Sequence, residues 1–343
     1  MRLFSLFANR IEGCLWWCYS DFRCSGELPY RDVQMENDGL GLTRTDGQPK
    51  PAALEMSKFR AVADRFGGRM PEPERKAAIL ASDLCDDWLS LYNCYILCVQ
   101  AGITPKFVRP DRDDLTPYPL ILAPSLRGSM PVSVPAWQKA AEAVRRGSVL
   151  YVSGDGVSLS NMKELFGISE MEKIPLPERH AAIRFKAGFQ CGISADFRNR
   201  FHSFASEPAA WYPDGAPAML KHRCGKGTAY YLSLPLEASL AKEPFAFDRS
   251  EAWKLYSGLK EAAGLESVVD YPDPQCERCW NPDQEGHGWL TVINHRREAV
   301  ETGLTSSRRI LAVNRTAGEA EITGTRIRLE PLQAAIFEVS LGA

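Results

Sequence analysis

Residues 13–22 read Gly-Cys-Leu-Trp-Trp-Cys-Tyr-Ser-Asp-Phe, an aromatic run that stops at the polar Ser20 and Asp21. An indole presents a flat apolar face to the C–H face of a pyranose ring, and a nearby carboxylate orients hydroxyl groups. The run therefore carries the residue types of a sugar subsite. Successive side chains of an extended segment alternate in direction, so Trp16 and Trp17 face opposite ways and Trp17 shares its side with Tyr19 and Asp21. Trp17, Asp21 and, in the loop beyond, Glu36 are the candidate substrate-binding residues. A packed core suits the two tryptophans equally, and a solvated loop suits Glu36.

Other spacings carry less chemistry. Cys276-x-x-Cys279 has a metal-ligand separation, but a structural zinc site takes four ligands, and Cys224 and His287 would have to be brought in by the fold. Cys14 and Cys18 lie about 13 Å apart along a strand, too far to share a metal or a disulfide. Asp83, Asp86 and Asp87 stand just before an apolar stretch opening at Trp88, where capping of a helix N-terminus is the plainer reading than a phosphoacceptor or metal site. An amidotransferase needs a Cys on a tight strand-to-helix turn with a His partner. The turn Ser153-Gly154-Asp155-Gly156 has no Cys, and nothing in the sequence sets a thiol against His180, His202 or His222. Gly154-x-Gly156 lacks the third glycine of a dinucleotide fingerprint, Leu159 standing in its place. No catalytic residue, no metal ligand and no cofactor is assigned.

The composition is that of a globular protein, with 45% hydrophobic and 24% charged residues over 343 positions. Forty-one Lys and Arg against 43 Asp and Glu leave a formal charge of −2, which gives no electrostatic basis for binding nucleic acid. No apolar run approaches the roughly 20 residues of a bilayer span, and the opening seven residues lack a cleavage-site pattern. Cys14, Cys18, Cys85, Cys94, Cys98 and Cys191 sit in apolar or aromatic surroundings, as reduced cysteines do. A soluble, cytoplasmic protein without membrane or nucleic-acid partners is expected.

The elements that must position these residues fall into three stretches, 1–70, 71–266 and 267–343. In the first, Leu3, Leu6, Phe7 and Ile11 share a helical face, a strand is expected over 15–19, and Pro49-Lys50-Pro51 opens a helix over 52–66. From Lys76 strands and helices alternate, with strands over 77–81, 105–108, 120–123 and 149–152 and helices over 88–101 and 134–146. That alternation implies an open parallel sheet. A strand over 228–234 and a helix over 250–263 complete it. After 267 the runs 289–293, 309–313, 319–322 and 336–339 suggest a small β-sandwich, too thin to hold a large core alone.

The strand over 15–19, the turns at Gly39-Leu40-Gly41 and Asp46-Gly47, and the Pro-led helix resemble the eighth strand, loop and closing helix of a clan-A retaining glycoside hydrolase barrel. That group includes β-galactosidases and β-mannosidases. Residues 71–266, above all Gly225-Lys226-Gly227-Thr228-Ala229-Tyr230-Tyr231-Leu232, resemble the glutamine-amidotransferase-like domain that follows the barrel in family 42 β-galactosidases and serves subunit assembly there. The resemblance implies an α/β chain built from a partial (β/α)8 barrel end, a Rossmann-like (glutamine-amidotransferase-like) parallel-sheet domain and a small β-sandwich. A full barrel takes about 250 residues. Retaining chemistry needs two carboxyl groups about 5–5.5 Å apart, and in this clan they are glutamates ending the fourth and seventh strands. Neither position is matched here, and Glu12 precedes the strand. The expected function is the C-terminal part of a retaining glycoside hydrolase for β-galactosides or β-mannosides, inactive by itself, with a carbohydrate substrate and homo-oligomerisation through 71–266. The alternative is a non-catalytic carbohydrate-binding or oligomerisation module.

Overall fold

The computed structural model describes residues 1–21, 40–84, 87–128, 131–154, 157 and 159–342. They group into two compact units, one of Met1–Pro73, Cys279–Gly303 and Arg308–Ala343, the other of Glu74–Arg278 and Leu304–Ser307.

The first unit opens with helix α1 (Arg2–Ala8) and helix α2 (Pro51–Arg65). Pro51 occupies the first helical position, where its fixed φ suits the helix and its missing N–H has no bond to lose. Phe7 of α1 meets Phe59 and Phe66 edge-on, and Phe66 meets Trp289 in the same way. Asn281 donates from its side-chain amide to the carbonyls of Ala8 and Pro71, both at 2.8 Å, which closes the end of α1. The expected strand over 15–19 does not form a ladder. Among the described residues, pairing consists of a parallel bridge between Ser20 and Thr43 and flanking bonds such as Thr43 N–H to the Tyr19 carbonyl at 2.9 Å. Residues 40–43 run beside 18–21, and Thr43 also bridges Pro49, so the segment beyond turns back on itself.

The C-terminal part of this unit has two antiparallel sheets. Cys276–Gln284, His287–Asn294, Ala334–Leu341 and Ile310–Gly318 form one, in that spatial order, and Val300–Gly303, Arg326–Leu329 and Glu321–Thr323 form the other. Three of these strands, His287–Asn294, Ile310–Gly318 and Ala334–Leu341, are longer than the sequence runs that signalled them, and Glu321–Thr323 is shorter than its run.

The second unit is built on a nine-stranded sheet. Its chain order is β1 (Ala77–Leu80), α3 (Trp88–Gln100), β2 (Pro105–Val108), β3 (Leu120–Leu126), α4 (Val134–Arg146), β4 (Val149–Gly154) and α5 (Met162–Phe166). There follow β5 (Ile168–Pro175), β6 (His180–Phe185), β7 (Gln190–Ser194), β8 (Phe197–Phe204), β9 (Glu207–Trp211), β10 (Pro217–Cys224), β11 (Gly227–Leu232), α6 (Leu236–Leu240), α7 (Ala246–Arg249) and α8 (Trp253–Ala262). The spatial order is β2-β1-β3-β4-β11-β10-β9-β6-β7. The first five strands are parallel and the last four join antiparallel. Alternation along β1 sends Ala77 and Ile79 to the face covered by α3 and α8, and Ala78 and Leu80 to the face covered by α4. Strands buried on both faces read as continuous apolar runs, as the Leu-Ile-Leu-Ala start of β3 does.

Gly225 and Gly227 owe their identity to α4. A Cβ on Gly227 would lie 2.2 Å from the carbonyl oxygens of both Val144 and Ser148, and Gly225 adopts φ +59° beside Arg145. The Gly-Lys-Gly phrase is thus the place where the start of β11 presses against the end of α4.

Candidate functional site

In an open parallel sheet the ligand crevice lies at the carboxyl ends of the strands. Here β3, β4 and β11 end side by side, with Leu126 in register with Gly154 and Leu232 with Ser153. Three polar residues converge at that edge: Ser125 on β3, Ser153 on β4, and Glu237 at the start of α6. Ser125 takes a left-handed backbone, φ +46°, which turns its hydroxyl inward.

Glu237 is fully buried and its carboxylate accepts four hydroxyl hydrogen bonds. Ser125 (2.9 Å) and Ser153 donate to Oε2, and Tyr151 (3.0 Å) and Tyr256 (2.7 Å) donate to Oε1. The network closes on the backbone. Ser125 N–H donates to Ser153 Oγ at 2.6 Å, Ala238 N–H donates to Ser125 Oγ at 3.0 Å, and Asn93 of α3 donates to the Glu237 carbonyl at 2.7 Å. Burial, reinforced by the Glu237 charge, pushes the Tyr151 phenol well up. Burial followed by the neighbouring Cys94 and Glu237 does the same to Tyr256. Both tyrosines therefore stay protonated and remain donors. Cys94 is likewise raised by burial and by Cys98 beside it, so it is held as a thiol.

This arrangement ties strands and helices together and offers no chemistry to a substrate. Ser153 stands at the end of β4, next to the turn where an amidotransferase would carry its nucleophile, but it is enclosed and bonded to a carboxylate. His202 pairs with Glu172 and His287 with Glu338, each at 3.0 Å. Sequence reasoning missed Glu237, because a single acid after an apolar strand looks the same whether it caps a helix or is buried.

The candidate sugar residues lie in the first unit. Trp17 is 71% exposed and Tyr19 is exposed beside it, while Trp16 donates its indole N–H to the Leu40 carbonyl at 3.2 Å. Asp21 is buried. Lys50 grips both of its carboxylate oxygens, at 2.6 and 2.5 Å, and Gly41 N–H donates at 2.9 Å. The Lys50 bond, aided by Gly41 and the charge of Arg44, holds the Asp21 carboxyl below the usual range against the opposing effect of burial. The structure thus brings Asp21 to Lys50 and leaves the Trp17 ring open. Glu36 lies outside the described residues.

Among the described residues no three His, Cys, Asp or Glu side chains converge as a metal site. Cys276 and Cys279 are buried on one strand, and their i, i+3 spacing directs them to opposite faces. Of the three acids before α3, Asp87 caps the helix, accepting from Ser90 N–H at 3.2 Å. Asp86 lies outside the described residues. No described helix is long and apolar enough to cross a membrane.

The profile of one protein family, the β-galactosidase trimerisation domain, matches residues 81–266. No curated protein matches the chain. Among solved structures, the β-galactosidase of Bacillus circulans sp. alkalophilus superposes with a TM-score of 0.64 at 15% identity, covering 87% of this chain and 46% of that one. The β-galactosidase of Rahnella sp. R3 gives 0.67 at 14%, covering 94% and 48%. An exo-β-1,4-mannosidase of Opitutaceae bacterium strain TAV5 gives 0.55 at 16%, covering 71% and 45%. At these identities the likeness is one of fold, and the chain spans under half the length of each.

Proposed function

The chain belongs to the β-galactosidase trimerisation domain family, and from that premise we propose that it is the non-catalytic, assembly-forming part of a retaining glycoside hydrolase acting on β-galactosides or β-mannosides. The observation that carries the reading is the family match over 81–266, which coincides with a sheet whose Glu237 cluster at the ligand edge is closed to substrate. In this reading residues 1–70 are the last strand and closing helix of a (β/α)8 barrel, 71–266 the assembly domain and 267–343 an accessory sandwich. Trp17, Asp21 and Glu36 belong to the wall of the sugar site, with Asp21 acting through its grip on Lys50. The two catalytic glutamates stand on barrel strands outside this chain. A cytoplasmic location fits the buried, unoxidised Cys94, Cys98, Cys191 and Cys224.

The test is the mass of the purified chain in sedimentation equilibrium, together with an aryl β-galactoside and β-mannoside assay. A three-chain species with no turnover is the expected result. A monomer at every concentration would remove the assembly role, and clear turnover would remove the non-catalytic one.

A further inference from the structure

Helix α3 (Trp88–Gln100) is thirteen residues long and contains no charged side chain. Its inner face is ordinary core, with Cys94, Leu97 and Cys98 buried beneath the sheet. The outer face is apolar as well: Trp88 is 62% exposed, Leu89 57% and Tyr92 47%, and Phe107 of the edge strand β2 adds 38%. These side chains form one surface, with Trp88 stacked on Tyr92 at 6.2 Å between centroids, Trp88 against Phe107 at 6.2 Å, and Phe107 stacked on Tyr95 at 5.9 Å.

The other long helices of this unit do not look like this. Helix α4 carries Lys139, Glu142, Arg145 and Arg146, and α8 carries Lys254, Lys260 and Glu261. A helix whose outer face is apolar calls for a cover on that face, and the second unit itself covers only the other side of α3, where Asn93, Cys94, Leu97 and Cys98 are buried. An aromatic side chain offers roughly 150–250 Å², so the three rings leave on the order of 300 Å² open, the scale at which an apolar patch marks an interaction surface. The patch has the anatomy of an interface core, with rings at its centre and a charged rim of the Arg109–Asp83 pair and the Arg127–Asp87 pair.

We propose that the face formed by Trp88, Leu89, Tyr92 and Phe107 is the surface through which one copy of this chain docks on a second copy. The proposal rests on the assembly reading above and names its contact. The patch lies inside the stretch matched by a family whose description is trimerisation, which favours a second copy over an unrelated partner. A closed three-membered ring uses heterologous contacts, in which this face meets a different face of the neighbour. A single substitution therefore acts at all three contacts. Lys106 on β2 places a charge at the sheet edge, a device that discourages strand-to-strand addition. The contact is consequently made by side chains.

The experiment compares the full chain with Trp88→Glu/Tyr92→Glu and with Phe245→Glu, which alters an exposed ring elsewhere in the same unit. Sedimentation velocity across a dilution series reads the association constant. The expected result is an assembled wild type and Phe245→Glu, and a double variant whose dissociation constant rises at least 100-fold while its circular dichroism is unchanged. If the double variant loses its fold, Leu89→Lys alone is read in the same way. An assembled wild type whose α3 variants associate equally well overturns this surface and leaves the assembly role standing. A wild type that is monomeric throughout overturns both. Quenching of tryptophan fluorescence by lactose, present in the wild type, absent in Trp88→Glu and unaccompanied by any change in mass, would make the patch a sugar platform and overturn the docking surface.

Discussion

Glu237 shows how a fold can use a charge without exposing it. A buried carboxylate is costly unless its lone pairs are filled, and here four hydroxyls fill them from β3, β4 and α8. Replacing it with Ala strands those donors in the interior, each worth about 1–3 kcal/mol when left unmade. Glu237→Ala is expected to lower stability by at least about 3 kcal/mol, with Glu237→Gln costing less because the hydroxyls can turn to accept from an amide. Urea midpoints decide it, and an Ala variant as stable as the wild type would show the network to be dispensable. The same enclosure sets an alkaline limit. Burial pushes Cys191 and Tyr212 up to about 12 and raises Tyr151, Tyr256 and Cys94 well above their usual values. A raised folded-state pKa gives stability that is full below the unfolded pKa and is lost as pH rises toward the folded one. Unfolded Cys and Tyr ionise near 8.5 and 10. The urea midpoint should therefore hold level through neutral pH on account of these groups and fall steadily from about pH 9 upward; a midpoint unchanged at pH 10.5 would contradict the assignment.

Elements whose pattern is set locally were legible from sequence. Helix α4 lies at the bounds its apolar spacing gave, with Ser133 accepting from Ala136 N–H at its start and Gly147 at its end. Strand β2 is equally well matched, and α2 begins at the proline that announced it. The four antiparallel strands that extend the sheet, and the separate β5–β8 pair, were not foreseen. Strands such as β6 and β7 are five or six residues with one face buried, and nothing in such a run says that it continues a parallel sheet. At the candidate site the residue types of Trp17 and Asp21 were legible, but the capture of Asp21 by Lys50 depends on a contact 29 residues away in sequence. The Gly225-Lys226-Gly227 phrase was noticed as a family mark, and its physical reason appears only with α4 in place. Gly227→Ala must push aside the carbonyls of Val144 in α4 and of Ser148 just beyond it, an overpacking that costs about 1–3 kcal/mol. Its melting midpoint should fall while Gly258→Ala, on a helix with open space around the Cβ position, leaves it level or higher. Equal midpoints for the two variants would refute the close approach.

At the scale of the whole molecule the two compact units differ in what sustains them. The second unit has an extensive apolar core on each face of its sheet. In the first, the small cluster of Phe7, Met70, Ala317 and Ile336, with partly buried rings around it, does the corresponding work for α1 and α2. If assembly runs through α3 onto a complementary face that also belongs to the second unit, the second unit gains stability from its neighbours by mass action and the first does not, because a partner that binds only the folded state stabilises by an amount that grows with its concentration. Calorimetry is then expected to resolve two transitions. The one belonging to the second unit should move to lower temperature on hundredfold dilution, and the other should stay fixed. Trp88→Glu/Tyr92→Glu should abolish that concentration dependence without moving the fixed transition. A single transition, or two that respond alike to dilution, would mean that stability is shared across the chain and that the α3 face is not where neighbouring copies contribute it.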